Sequence, residues 1–279
     1  MKSRLAPLPL ATRHSPLTHA TRHLPLALGL LGACTVTPLT NKVRPGDEAF
    51  VVVVGEGEDR ETDLFAAPAA GGKFTRLSFN RLVEDLPELS PAGTAVAYVR
   101  TRSAADSVPH QVVVLDLLTN DERTANLPEA APRPDRLGWA RDGSVLYVWA
   151  SGAYRVDLAA HPLTAVPVGA AELAQADSAA AELLGDPPQG AVKRCGGWAC
   201  IVAATGDTTS LGEGVGEAIR WGPDSVAYFK KGSLLVRPLT GGHTRQPLFH
   251  DLPANLRRPT YHPGVSTTPS GEAGLKPPR

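Results

Sequence analysis

The stretch "LGWARDGSVLYVWASGAYRVDL", residues 137–158, decides the fold. It passes from an apolar and aromatic start through the turn "ARDG" into an apolar strand, turns again at Ser151-Gly152 and enters a second strand. In "SVLYVWA", Val145, Tyr147 and Trp149 point to one side while Leu146 and Val148 point to the other. Both faces are therefore apolar. A sheet with one wet face alternates apolar with polar residues, so these strands are expected to be covered on both sides.

The stretch recurs. "LGWARDGSVLYV" (137–148) aligns with "PELSPAGTAVAYV" (87–99), with "IRWGPDSVAYF" (219–229) and with the shorter "PTYHPG" (259–264). A strand-turn-strand second half recurs in "SLLVRPLTGGHTRQPLF" (233–249), "DLFAAPAAGGKFTRLSF" (63–79) and "QVVVLDLLTNDERTANL" (111–127), with a weaker copy in "AVKRCGGWACIVAATGDTTSL" (191–211). With Leu89, Trp139, Leu184, Trp221 and Tyr261 taken as equivalent, the steps are 50, 45, 37 and 40 residues. Four-stranded repeats of about 40–50 residues are propeller blades. A two-sheet sandwich explains the strands but not the recurring turn. "PTYHPG" supplies a first strand without a second, whereas "AFVVVVGEG" (49–57) supplies a second without a first. Joined, they complete a blade and remove a free sheet edge. The expected fold is all-β: a β-propeller of five four-stranded blades, closed by pairing of the C-terminal strand with the N-terminal blade.

The W-x-x-D-G turn of Trp139 to Gly143 and the "GG" turn before the outermost strand resemble the repeats of the TolB-type propeller of bacterial envelope proteins. The resemblance spans about residues 48–264. It is incomplete: Ala92 stands where aspartate is usual, and five repeats stand where that family usually has six. It implies an envelope location and a binding role.

The first 34 residues have the layout of an export signal, with basic Lys2, Arg4, Arg13 and Arg22, then the apolar run "LPLALGLLGA" (24–33), then Cys34. The run is too short to span a bilayer. "LGAC" (31–34) resembles the bacterial lipobox, which implies lipidation of Cys34 after cleavage and a membrane anchor; an ordinary secretory signal is the alternative. Thr35, in place of aspartate, implies the outer membrane on its periplasmic face. The expected organisation is a signal peptide at 1–33, a flexible tether at 34–47, the propeller at 48–264 and a disordered tail at 265–279. Cys195 and Cys200 flank "GGWA", read as a turn between antiparallel strands, and are expected to form a disulfide as directly opposed residues.

Twenty-eight basic residues balance twenty-eight acidic ones, which speaks against a dedicated nucleic-acid binder. Two loops are long. One carries Glu56, Glu58, Asp59 and Glu61; the other carries Arg100, Arg102 and His110. Both join a second strand to a third and are expected on one face of the ring, where patches of opposite sign would orient a partner or simply pair with each other. The acidic loop lacks the ligand spacing of a calcium loop, so no metal and no cofactor is expected. No G-x-S-x-G elbow occurs, and the histidines are scattered, so no catalytic residue is named. "AAELAQADSAAAELL" (170–184) has helical composition and is read as a rim insertion or a docking helix. The expected function is a lipid-anchored, non-enzymatic module that binds an envelope protein or a cell-wall component. The alternative is a small-molecule-binding or hydrolytic propeller with its site in the central funnel.

Overall fold

The computed structural model describes residues 39–265, except 40–41, 58–60, 103–109, 129–130, 170, 173, 175–190, 196–197, 203–204, 216, 223 and 240–241. The chain divides into two compact units, Met1–Val36 and Thr37–Arg279, and every described residue belongs to the second.

The described residues are almost entirely strand and turn. The first strands are β1 (Phe50–Glu56), β2 (Thr62–Pro68), β3 (Gly71–Lys73) and β4 (Thr75–Arg76). Next come β5 (Val83–Leu89), β6 (Ala95–Thr101), β7 (His110–Asp116) and β8 (Glu122–Asn126), then β9 (Arg136–Trp139), β10 (Val145–Trp149), β11 (Ala153–Asp157) and β12 (Ala165–Pro167). β13 (Ala191–Cys195), β14 (Trp198–Val202) and β15 (Thr208–Ser210) precede β16 (Ala218–Arg220), β17 (Ser225–Lys230) and β18 (Ser233–Pro238). The last two are β19 (Leu248–His250) and β20 (Ala254–His262).

Strands β5 to β8 and β9 to β12 form two four-stranded antiparallel sheets in chain order. A third, β20-β1-β2-β4, joins the two ends of the domain through the register Phe50↔His262 and Val51↔Tyr261. This is the pairing anticipated for "PTYHPG" and "AFVVVVGEG". β13-β14-β15 and β16-β17-β18 are three-stranded among the described residues. A pairing not anticipated from the sequence is the parallel one of β19 with β3, Leu248↔Gly71.

The apolar residues on both faces are covered by neighbouring sheets. From β1, Phe50, Val52 and Val54 enter one cluster with Val96, Tyr98, Val113 and Leu115 of the β5–β8 sheet. Val51 and Val53 enter another with Trp221, Ala227, Leu234 and Val236. Ala97 and Val99 of β6 meet Leu146, Val148 and Val156 of the next sheet. Alternation at period two thus sends one strand's side chains into two cores.

The recurring turn has one hydrogen-bond plan. Ser90 N–H donates to Ala95 O at 2.9 Å and Gly93 N–H to Ser90 O at 2.8 Å; the corresponding pairs are Ala140 to Val145 at 2.8 Å and Gly143 to Ala140 at 2.9 Å. Gly93 and Gly143 have φ of 67° and 72°, in the left-handed region that glycine enters without strain. In the better copy Asp142 accepts from Ser144 N–H at 3.0 Å and from its hydroxyl at 2.7 Å. Where Ala92 replaces that aspartate, Ser90 Oγ accepts from Ala95 N–H at 3.1 Å instead.

Two expectations differ from the structure and a third is described only in part. Within the stretch read as a tether, 34–47, Leu39 and Val43 are buried in the first core cluster. β14 begins at Trp198, so the connection after β13 is 196–197 and not "GGWA"; the register is Cys195↔Trp198 and Lys193↔Cys200, which makes the two cysteines diagonal rather than directly opposed. Of the helical stretch 170–184, only Ala171, Glu172 and Ala174 are described, as helix, and the rest lies outside the described residues. So do residues 1–38 with Cys34, and residues 266–279.

Candidate functional site

The first strands of successive sheets, β16, β20, β5 and β9, lie side by side, and the polar chemistry of the molecule gathers along them. β5, "VEDLPEL", carries three carboxylates in seven residues. A bulge explains how it holds them. Between the pairs Asp85↔Val99 and Glu88↔Ala97 the strand contains one residue more than its partner, with Leu86 at φ 53°. Glu84, opposite Arg100, therefore stands on one face, whereas Asp85 and Glu88, opposite Val99 and Ala97, both stand on the other. Without the bulge, residues three apart would point to opposite faces.

At the β5 start, Asp85 gathers three guanidinium groups: Arg133 Nη2 at 2.7 Å, Arg258 Nε at 3.4 Å and Arg257 Nε at 3.9 Å. Arg258, at φ 51° in the bulged strand β20, also reaches Glu217 Oε1 at 3.3 Å. These residues come from four separate segments. Asn255 Nδ2 donates to Glu56 Oε2 at 2.6 Å.

Further along β5 lies Glu88. It lines a cavity of about 390 Å³ together with Leu89, Trp139, Tyr261 and His262, and a smaller one of about 210 Å³ toward Arg258 and Asp135. Burial pushes its carboxyl up to about 8. The aromatic position of the repeat forms the walls. Trp139 Nε1 donates to Glu88 O at 3.0 Å, and Trp221 stacks on Tyr261 with centroids 4.6 Å apart. His262 Nδ1 accepts from Gly264 N–H at 3.1 Å, which leaves the proton on Nε2, 3.3 Å from Pro91 O. Burial holds this imidazole below its ordinary range, so it is neutral at pH 7.

On the other face of β5, Glu84 is the centre of a buried network. Arg100 Nη2 and Nε reach its Oε1 at 3.0 and 3.1 Å, Asn80 Nδ2 donates to it at 2.7 Å, and Ser78 Oγ donates to its other oxygen. Arg100 also donates to Glu122 Oε1 at 2.7 Å, and the Tyr98 hydroxyl donates to the same oxygen at 2.8 Å. Burial raises the Glu84 carboxyl above its usual range against the pull of Ser78, Asn80 and Arg100. Burial likewise raises Asp63, which pairs with Arg76 at 2.6 Å.

The strand ends that flank the two long loops lie close together. Thr62 Oγ1 donates to Glu84 O at 2.7 Å and accepts from Glu84 N–H at 2.9 Å, which joins the loop before β2 to the start of β5 and through it to Arg100 and Thr101. The residues named on those loops fare unequally. Glu56 and Glu61 are partly exposed and Arg102 is exposed, whereas Glu58 and Asp59 lie outside the described residues. Arg100 and His110 are corrected. Arg100 is buried and committed to Glu84 and Glu122, and His110 is 1% exposed, because both sit inside paired strands rather than beyond their ends. Sequence reading passed over Glu84, Asp85 and Glu88, although three carboxylates inside a strand next to an apolar one were the available signal.

Cys200, buried on β14, is disulfide-bonded. Among the described residues, no cluster of His, Cys, Asp and Glu has the makings of a metal site, and no helix is long and apolar enough to cross a membrane.

Antiparallel sheets in chain order, packed face to face with their first strands side by side, define a β-propeller. Among solved structures the chain is similar to TolB from Acinetobacter baumannii, at 13% identity over 80% of this chain and 68% of that one, with a TM-score of 0.38. A TolB-like protein from Agrobacterium tumefaciens is 14% identical over 71% of this chain and 61% of its own length, with a TM-score of 0.34. A prolyl endopeptidase is 14% identical over 73% of this chain and 36% of its own, with a TM-score of 0.31. No protein-family model and no curated protein matches the chain.

Proposed function

We propose that the protein is a lipid-anchored propeller of the bacterial envelope, held at the periplasmic face of the outer membrane through Cys34, that binds an envelope protein or a cell-wall component and catalyses no reaction. The observation that supports the reading is that the start of β2 is hydrogen-bonded to the start of β5 through Thr62 and Glu84, so the strand ends flanking the two long loops meet beside the Asp85, Arg133, Arg257 and Arg258 cluster. Partly exposed Glu56 and Glu61 and exposed Arg102, with Glu58 and Asp59 of the same loop, give a partner groups of both signs. The five antiparallel sheets of the described residues are read as five blades closed by β20 on β1, and Cys195 as the partner of Cys200, a bond suited to an exported domain.

Replacing residues 57–61 and 102–109 by short Gly/Ser turns leaves Thr62, Arg100 and His110 in place. The domain should still fold, since loop closure costs little, and crosslinked partners should disappear from envelopes. An unchanged set of partners would move the surface elsewhere. Independently, Cys34→Ala should abolish labelling by a fatty-acid analogue and release the protein from membranes; persistent labelling would remove the anchor from the proposal.

A second reading, a small-molecule site in the funnel, is favoured by one observation: the cavity that Glu88 lines together with Trp139 and Tyr261.

A further inference from the structure

Two carboxyl groups of β5 face the same side, yet their surroundings differ. Asp85 is met by Arg133, Arg257 and Arg258. Among the described residues, no hydrogen bond or ion pair reaches the Glu88 side chain, and burial is the one influence acting on its proton affinity. Glu88 is half-buried: its carboxyl is partly withdrawn from water and no group of the described residues offsets that cost, whereas a cationic ligand in the cavity would.

We propose that the larger cavity is a binding site for a small organic ammonium ion, with the Glu88 carboxylate as counter-ion and the rings of Trp139 and Tyr261 as its walls. The proposal deepens the funnel-site reading and rests on it. A cavity of about 390 Å³ is within the range that holds small molecules. One carboxylate offers too few oxygens for a hard metal ion, which takes about six or more. An ammonium group needs a single counter-ion and gains from aromatic faces. The charged and titratable groups around Glu88 leave that role open. On β9, Arg136 lines both cavities, with its guanidinium group over the Trp149 ring at 3.8 Å. On β20, Arg258 is taken by Asp85 and Glu217, and His262 is neutral. Asp135, before β9, lines the smaller cavity, and Asp85 on β5 is held by its arginines. Tyr261 is uncharged, its hydroxyl pushed up by burial.

Binding an ammonium ion requires Glu88 to ionise, so below pH 8 each binding event releases a proton. An alkylammonium stays charged throughout this range. Affinity should therefore rise about tenfold per pH unit from pH 6 and level off near pH 8.

Titration calorimetry of the full chain with benzylamine, benzyl alcohol and benzoate tests this. Benzylamine is expected to bind at least about tenfold tighter than benzyl alcohol at pH 8, with proton release at pH 7 seen in buffers of different ionisation enthalpy. Glu88→Gln should abolish both the preference and the proton release, while Glu88→Asp should retain the preference. Equal binding of benzylamine and benzyl alcohol, or a preference surviving Glu88→Gln, overturns the ammonium assignment and leaves a funnel site. Absence of binding by all three probes overturns the funnel reading as well.

Discussion

Arg100→Met is expected to cost about 3–5 kcal/mol of folding stability at pH 7, the loss seen when one partner of a buried ion pair is removed. The Glu84 side chain is wholly buried, and among the described residues Arg100 supplies its one positive charge. Ser78 and Asn80 would remain, but two neutral donors do not replace a guanidinium group. The loss should depend on pH. Glu84 already has a folded-state proton affinity above its unfolded one, and removal of Arg100 raises it further, so the variant's deficit should be small near pH 4 and grow as pH rises. Urea midpoints at pH 4 and pH 7 measure it. Adding Glu84→Leu to Arg100→Met should recover most of the loss, since well-packed apolar side chains can replace a buried ion pair at little cost. A surface loop arginine would lose under about 0.5 kcal/mol at either pH; that result would remove Arg100 from the interior.

Glu88→Gln should have the opposite sign. Its carboxyl titrates near 8 in the folded protein against an ordinary value of 4.5. Between those values the folded state holds a proton that the unfolded state has released, so the native protein loses stability as pH rises through this window. Glutamine does not titrate. The variant's advantage should be near zero at pH 4 and reach roughly 2–4 kcal/mol at pH 8, a figure reduced for the accessible part of the side chain. Denaturant unfolding across pH 4–9 gives the difference directly, and parallel curves for the two proteins would show that Glu88 is not desolvated in the native state.

Both predictions concern β5, where sequence reading was least informative. "PELSP" aligned with the other repeats and correctly placed a first strand and its turn. Its register was hidden. Nothing local in "VEDLPEL" announces that Leu86 takes a left-handed conformation, and the parity of every carboxylate depends on that one extra residue. A one-residue slip exchanges the faces of a strand. Arg100 and His110 were misplaced for a related reason. The stretch 100–110 reads as one long loop, whereas β6 runs to Thr101 and β7 starts at His110. Polarity marks a strand end only when no buried partner waits for it, and Glu84 waits for Arg100. The same holds for Leu39 and Val43, whose surroundings lacked periodicity but whose side chains fill the first core.

By itself the sequence determined the repeating unit, the turn with its glycine, the apolarity of both strand faces and the joining of the chain ends in one sheet. These depend on short-range spacing: period two along a strand, five residues across the turn, and about 45 from unit to unit. The tertiary structure alone decided which polar groups are buried, which arginine meets which carboxylate, and that Glu88 meets none among the described residues. Those outcomes depend on how neighbouring sheets pack. The free energy of a charge is set by the groups other strands bring within a few ångströms, and no spacing along one chain encodes that distance.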